Sequence, residues 1–240
     1  GPRGEKIVTV GSVGEVVMWE AGTGQALWAV KGHRIFGCDG AWSPDGRLVA
    51  TCALHQEAQV IVWDVATGEP VQFLVGGGQG VSWSRDGNWL ALAGEREIVV
   101  WSTKDWSEVG RWARPDQDLY TIAFSPDSRW LLVGYKIGPM ELISTQQWAV
   151  VRQWLAHGLG GVADVSWRGD SQRWATVTSS PNETTVKVWG LGQVDPLLNL
   201  PFMARDGSCV IWCDEGEFLA TSHNLADGKG DRYFFWDVRV

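Results

Sequence analysis

Four histidines, four cysteines and two glycine-containing loops are the stretches of this 240-residue chain that could do chemistry. The histidines are His33, His55, His157 and His223, and no two of them form HExxH or another paired metal spacing, so no metal site is expected. Gly76-Gly77-Gly78-Gln79-Gly80 has the composition of a phosphate loop. It is followed by VSWSRDG, a strand and a turn, whereas phosphate binding needs a helix N-terminus or a following Lys-Ser/Thr. The segment Ala226 to Asp231 lacks the alternating acidic ligands and closing Glu of a calcium loop. Ser43 and Ser166 stand in repeated turns, and no GxSxG elbow is present. No catalytic residue and no cofactor are assigned.

The cysteines have a structural reading. Cys209 and Cys213 share a face of an expected strand but lie ~13 Å apart at ordinary strand rise, too far for a disulfide. Cys38 and Cys52 are expected to face each other across a hairpin centred on Pro44-Asp45-Gly46. A bridge is allowed there, and a pair of buried free thiols is the alternative.

The elements that position these residues repeat. An aromatic followed by a turn occurs at Trp42 (SPDG), Trp83 (SRDG), Phe124 (SPDS), Trp167 (RGDS) and Trp212 (CDEG), spaced 41, 41, 43 and 45 residues apart. A second aromatic closes a later apolar run at Trp19, Trp63, Trp101, Trp189 and Trp236, with Ile143 in the fourth copy. The other tryptophans recur too. Trp28, Trp112 and Trp154 follow the closing aromatic, with Phe73 aligned to them; Trp89, Trp130 and Trp174 open the strand after the turn; Trp106 and Trp148 lie five residues past the closing position. All 17 tryptophans fall into five repeat-specific classes, a placement that belongs to architecture and not to scattered sites.

Each unit divides into four short runs rich in Val, Leu and Trp and bounded by Gly, Pro, Asp or Asn, with no helical periodicity. Pro44-Asp45-Gly46 supplies a fixed φ followed by a residue tolerant of positive φ. The units span about 5–35, 36–76, 77–114, 118–157, 160–204 and 206–240. The first lacks its opening strand and the last its closing one, which makes twenty-two strands in a single domain over 1–240.

Four-stranded units of this length ending in Trp-Asp build radial arrays. The motifs AWSPDGRLVA, VIVWDVATG, VSWSRDGNWLALAG, IAFSPDSRWLLVG, VKVWG and YFFWDV, with Lys31-Gly32-His33 before them, resemble those of the WD-repeat β-propellers over the whole chain. The resemblance implies an all-β propeller of four-stranded antiparallel blades. Either six blades close imperfectly, or the chain is a fragment of a seven-bladed propeller in a larger protein.

The resemblance also implies a hydrogen-bonded set in each blade: His before the inner strand, Ser or Thr on the second, Asp in the next turn, Trp on the third. In the second unit this carries over to His33, Thr51, Glu57 (in the Asp place) and Trp63, and in the fifth to His157, Thr178, Glu183 and Trp189. Glu95 takes the Asp place in the third unit, Val13 in the first and Ile137 in the fourth, so the set is degraded. His55 and His223 fall in second-to-third-strand loops and read as solvated.

The family commonly holds peptides or proteins on the face carrying those loops. The residues expected to serve there are Arg34, Phe36, Arg96, Tyr120, Tyr135, Lys136, Arg205 and His223, because Arg and aromatics supply most interface hot spots. The expected function is a non-catalytic scaffold for protein or peptide partners. The alternative is a hydrolase-like enzyme with its site at the channel mouth, for which Asp39, Asp118 and Asp164 are the few carboxylates near inner strands.

A net charge of −8 and a pI near 5.0 disfavour nucleic acid as a partner, since clustered Lys and Arg are needed to neutralise phosphates. No apolar run approaches the ~20 residues that span a bilayer, so no membrane partner is expected. Ile7 to Val10 is too short for a signal-peptide core, which favours a cytoplasmic location. The chain does not begin with Met, so a removed targeting segment stays open.

Overall fold

In the computed structural model the described residues are all except 35–36, 54–58, 77, 159, 179, 181–182, 184, 202–205, 214–215, 225–230 and 240. The chain divides into two compact units, Gly1–Leu119 and Tyr120–Val240.

The first unit holds three antiparallel sheets. The first sheet has three strands, β1 (Lys6–Val10), β2 (Glu15–Glu20) and β3 (Ala26–Lys31). The second has four, β4 (Gly37–Trp42), β5 (Leu48–Ala53), β6 (Gln59–Asp64) and β7 (Pro70–Val75). The third has β8 (Gly80–Trp83), β9 (Trp89–Ala93), β10 (Glu97–Ser102) and β11 (Glu108–Ala113).

The second unit repeats the plan. Its sheets are β12 (Leu119–Phe124, opening on the last residue of the first unit), β13 (Trp130–Tyr135), β14 (Met140–Ser144) and β15 (Ala149–Trp154); then β16 (Val162–Trp167), β17 (Arg173–Thr178), β18 (Thr185–Gly190) and β19 (Leu198–Pro201); and last the three-stranded β20 (Asp206–Trp212), β21 (Phe218–Asn224) and β22 (Asp231–Asp237). Strands within a sheet follow chain order, so each sheet is a simple meander.

Turn chemistry sets the first corner of each sheet. Ser43 Oγ donates to Asp45 (2.6 Å), and Asp45 in turn accepts the Arg47 amide (3.0 Å) while Gly46 sits at φ 73°. Ser84, Asp86 and Asn88 repeat the arrangement. In the second unit Ser128 and Ser171 hold the same left-handed backbone at φ 59°. The third-to-outer turn has a stranger feature. Gly68 stands there at φ 74° because the Trp28 indole lies over it, 2.8 Å from where a Cβ would be. Trp106 and Trp148 take up positive φ (57° and 50°) at the matching turns, a backbone that costs a bulky residue ~1–3 kcal/mol.

Alternation along the strands gives every inner sheet two buried faces. On β5 and β6, Val49, Ile61 and Trp63 pack with Val16 and Met18 of the first sheet, while Ala50, Val60 and Val62 pack with Val81, Leu90 and Val99 of the third. In the second unit Trp174 and Trp189 join Leu132 and Met140 of the fourth sheet, while Ala175, Val186 and Val188 join Val210 and Leu219 of the sixth. The cores lie between sheets, not within them.

Two expectations about register change. Cys52 pairs with Asp39 and not with Cys38, because a bulge between Gly37 and Asp39 moves the ladder by one residue. Cys52 is a buried free thiol whose Sγ lies 3.7 Å from the Asp39 carbonyl; the Cys38 side chain lies outside the described residues. The outer-strand tryptophans do not form one class. Trp28 pairs with Met18, one residue before the closing Trp19, whereas Trp112 and Trp154 pair with Ile98 and Met140, three before Trp101 and Ile143.

Candidate functional site

The second sheet brings three of the sequence-expected residues together. His33, held by its backbone N–H to Gly14 of the first sheet (2.9 Å), places Nε2 2.9 Å from Thr51 Oγ1. Trp63 donates Nε1–H to the same hydroxyl at 2.8 Å. All three side chains are buried, and the shared hydroxyl serves His33 Nε2 and the Trp63 indole N–H without water. Glu57 lies outside the described residues.

The fifth sheet builds a larger version. His157 Nε2 is 3.0 Å from Thr176 Oγ1, and Trp189 donates to that hydroxyl at 2.9 Å. The hydroxyl is therefore that of Thr176, which corrects the expectation of Thr178. The ladder explains it: Trp189 pairs with Trp174, and the hydroxyl belongs two residues beyond, just as Thr51 is two beyond Val49, the partner of Trp63. Thr178 instead accepts the Ser180 amide at the strand end.

Glu183 completes the set. Its Oε1 faces His157 Nδ1 (3.2 Å) and accepts from Lys187 Nζ (2.7 Å), while Oε2 accepts the Gly158 amide (2.5 Å). A carboxylate only accepts, so Nδ1 carries the imidazole proton and Nε2 is left to accept from Thr176. Burial, with the Lys187 ammonium beside it, pushes His157 down from 6.5 to about 4. Burial works against the Glu183 charge, yet Lys187, His157 and the Gly158 N–H together hold that carboxyl below its ordinary value.

The first and sixth sheets keep only the hydroxyl–indole pair, Trp19 to Thr9 (2.8 Å) and Trp236 to Thr221 (3.0 Å). Sequence reasoning missed these threonines because the ladder sets their place and not a fixed spacing: each lies two residues past the partner of the closing Trp, Ile7 and Leu219. The fourth sheet drops both members, with Ile143 and Val133 in their places. The third keeps Trp101 but puts Leu92 in the hydroxyl place, so the buried Trp101 Nε1 has no partner among the described residues.

The expected partner-binding residues are less concentrated. Arg34, Arg96 and Lys136 are exposed in loops, and Tyr120 is 36% exposed on β12. Arg96 lies 3.6 Å from the exposed Asp118, a surface pair worth little in stability. Tyr135 is fully buried as the last residue of β13, so it is removed from the surface set. His223 is not in a loop; it lies in β21, paired with Gly207 and Arg232, because that hairpin extends further than its sequence suggested. Its side chain, together with Phe36 and Arg205, lies outside the described residues.

The carboxylates near inner strands have other employment. Asp39 Oδ1 accepts its neighbour Gly40 N–H (2.7 Å) and Oδ2 the Val81 N–H of β8 (3.0 Å). Burial pushes its carboxyl up from the usual range, and the two amides partly offset that. Asp164 accepts the Val165 N–H (2.8 Å) and the Val210 N–H of β20 (2.9 Å). No group of three or more His, Cys, Asp or Glu side chains that could hold a metal ion occurs among the described residues. No helix among them is long and apolar enough to cross a membrane.

Comparison with known proteins agrees with this architecture. The model of the WD domain, G-beta repeat, matches residues 24–64. Centriole proteome protein 16 of Chlamydomonas reinhardtii is 34% identical over 99 residues, a match covering 38% of this chain and 5% of that protein. Kuenenia stuttgartiensis hydrazine synthase superposes with a TM-score of 0.81 at 18% identity, covering 92% of this chain and 71% of that one. U3-55K superposes at 0.80 and 15% identity, covering 98% and 75%. At such identities the two structures show the fold alone, a β-propeller. The family match covers a single repeat of that fold, and the chain spans only a small part of the length of the Chlamydomonas protein.

Proposed function

We propose that this chain is a non-catalytic WD-repeat scaffold, part of a longer protein, that holds a protein or peptide partner on the edges of its sheets bearing the second-to-third-strand loops. The WD-repeat match supports protein interaction in general. The observation that carries the non-catalytic reading is the engagement of its inner-strand carboxylates. Asp39 and Asp164 each accept two backbone N–H groups, and Asp118 is exposed beside Arg96. A general acid or base needs a free, positioned lone pair or proton, and the first two are occupied in holding strands.

Arg34 and Arg96 in the first unit and Tyr120 and Lys136 in the second are the accessible side chains of the interaction type. The partner is a soluble protein or peptide, with nucleic acid disfavoured by the net charge of −8. The test is the affinity of a partner recovered with the wild-type chain for the Arg34→Ala, Arg96→Ala, Tyr120→Ala triple variant. A loss of about tenfold or more supports the reading. An unchanged affinity rejects these residues as the contact.

A further inference from the structure

Within each unit the junctions between neighbouring sheets are fastened by different side chains. At the first-to-second junction, outer-strand Trp28 donates Nε1–H to Val65 O (3.0 Å) and sits 6.4 Å from the Trp63 ring. At the fourth-to-fifth junction, outer-strand Trp154 lies 5.8 Å from Trp174 and 5.9 Å from Trp189. Arg152, stacked on Trp154, reaches Val194 O at 3.0 Å. The fourth-to-fifth junction is also bonded at its inner strands, where Trp167 donates Nε1–H to Ala123 O (3.1 Å) and Thr121 Oγ1 lies 3.5 Å from Asp164. At the second-to-third and fifth-to-sixth junctions the inner strands are joined by a carboxylate holding a backbone amide, from Asp39 and Asp164.

The inner strand of each sheet has one edge that its own sheet cannot pair. On β8 the Ser84 amide bonds across to Trp89, so by antiparallel alternation the Val81 and Trp83 amides point the other way. On β20 the Cys213 amide bonds to Phe218, which turns Val210 and Trp212 outward. Both Asp39 and Asp164 follow a β-bulge, between Gly37 and Asp39 and between Val162 and Asp164. A bulge re-aims the side chain next to it. Two residues on, Ser166 Oγ accepts the Trp212 amide (3.0 Å), so β16 grips alternate amides of β20 with alternate side chains. Ala41 stands in the place of Ser166 on β4 and offers no hydroxyl.

We infer that the bulge-borne carboxylates of Asp39 and Asp164 are inter-sheet positioning residues, each latching the outward-facing edge of the next inner strand and fixing its stagger. The second-to-third and fifth-to-sixth sheet pairs therefore open at the inner rim only when the latch is released. The first-to-second junction, held by Trp28, does not depend on it. The same latches occupy edge amides that would otherwise template an added strand.

Residue-resolved native-state hydrogen exchange tests this. In Asp39→Ala the Val81 amide is expected to exchange roughly tenfold faster or more, with Val99 in the third sheet unchanged. Asp164→Ala is expected to do the same at Val210 and leave Val81 alone. Unchanged protection at Val81 in a folded Asp39→Ala protein overturns the inference, and so does an equal loss at Val81 and Val99, which would mean only global destabilisation. If the alanine variants do not fold, Ala41→Ser decides the matter. Ala41→Ser is expected to slow exchange at Trp83 about threefold or more by supplying the missing hydroxyl. No slowing at Trp83 in a folded Ala41→Ser protein counts against the latch.

Discussion

The second and third sheets are neighbours built on one sequence plan, and they treat the same tryptophan differently. In the second, Trp63 gives its indole proton to Thr51, which also meets His33. In the third, Trp101 has kept the ring while Leu92 has replaced the hydroxyl, leaving a buried donor without a partner among the described residues. The fourth sheet shows the consistent way to give the bond up, with Ile143 and Val133 apolar together. Indole area and indole polarity are thus separable contributions: area is kept in five of six sheets, polarity is matched in four of those five.

The comparison breaks first on area. Trp63→Ala and Trp101→Ala are both expected to cost ~3–5 kcal/mol in denaturant unfolding, since both rings pack in cores between sheets. A loss below ~1 kcal/mol would remove the ring from its structural role. Next comes the charge state of the network. His157 is buried neutral, with its folded value about 4 against 6.5 for the free group. Its contribution is complete above pH 6.5 and is lost as pH falls from 6.5 towards 4, because the unfolded chain binds a proton the folded one refuses. The span is ~3 kcal/mol at most. Unfolding measured across that range should show the slope in wild type and a weaker slope in His157→Gln.

Polarity alone is the sharper probe. Trp63→Phe is expected to cost ~1–2 kcal/mol, because the buried Thr51 hydroxyl loses its indole donor. Trp101→Phe should cost less than Trp63→Phe by about 1 kcal/mol, since it also deletes an unsatisfied N–H. Equal costs would mean that the Trp101 indole has found a partner such as a bound water. The smallest expected effect is a coupling. In a double-mutant cycle, Leu92→Thr should interact favourably with the Trp101 indole by ~0.5–1 kcal/mol, and the gain should vanish in the Trp101→Phe background.

Much of the fold was legible because it is written locally. Turn residues, alternating apolar runs and repeated tryptophans each act within about ten residues, and they yielded twenty-two strands with three-stranded sheets at both ends. What was not legible depends on register across the ladder. Sequence alignment points to Thr178, and it is the pairing of Trp174 with Trp189 that puts Thr176 in the hydroxyl place. Trp28 aligned with Trp112 until the outer strands were seen to pair differently. The two latches join residues 42 and 46 positions apart through bulges, and a bulge leaves no reliable mark in a single sequence. His223 failed for a simpler reason, since β21 continues past where the polar residues suggest an end, and Tyr135 because the last position of β13 is buried.

The placement of the cores between sheets has a consequence for fidelity of assembly. A second strand such as β5 carries two interleaved messages, one for the sheet before and one for the sheet after. A slip of one residue in β5 would exchange them, turning Thr51 towards Val81 and Leu90 and leaving Trp63 facing a methyl group. Apolar residues on both faces would tolerate that exchange almost equally. The hydroxyl–indole bond would not, so it works as a proofreading mark, and the third and fourth sheets, which lack it, are where misregistered chains should be sought.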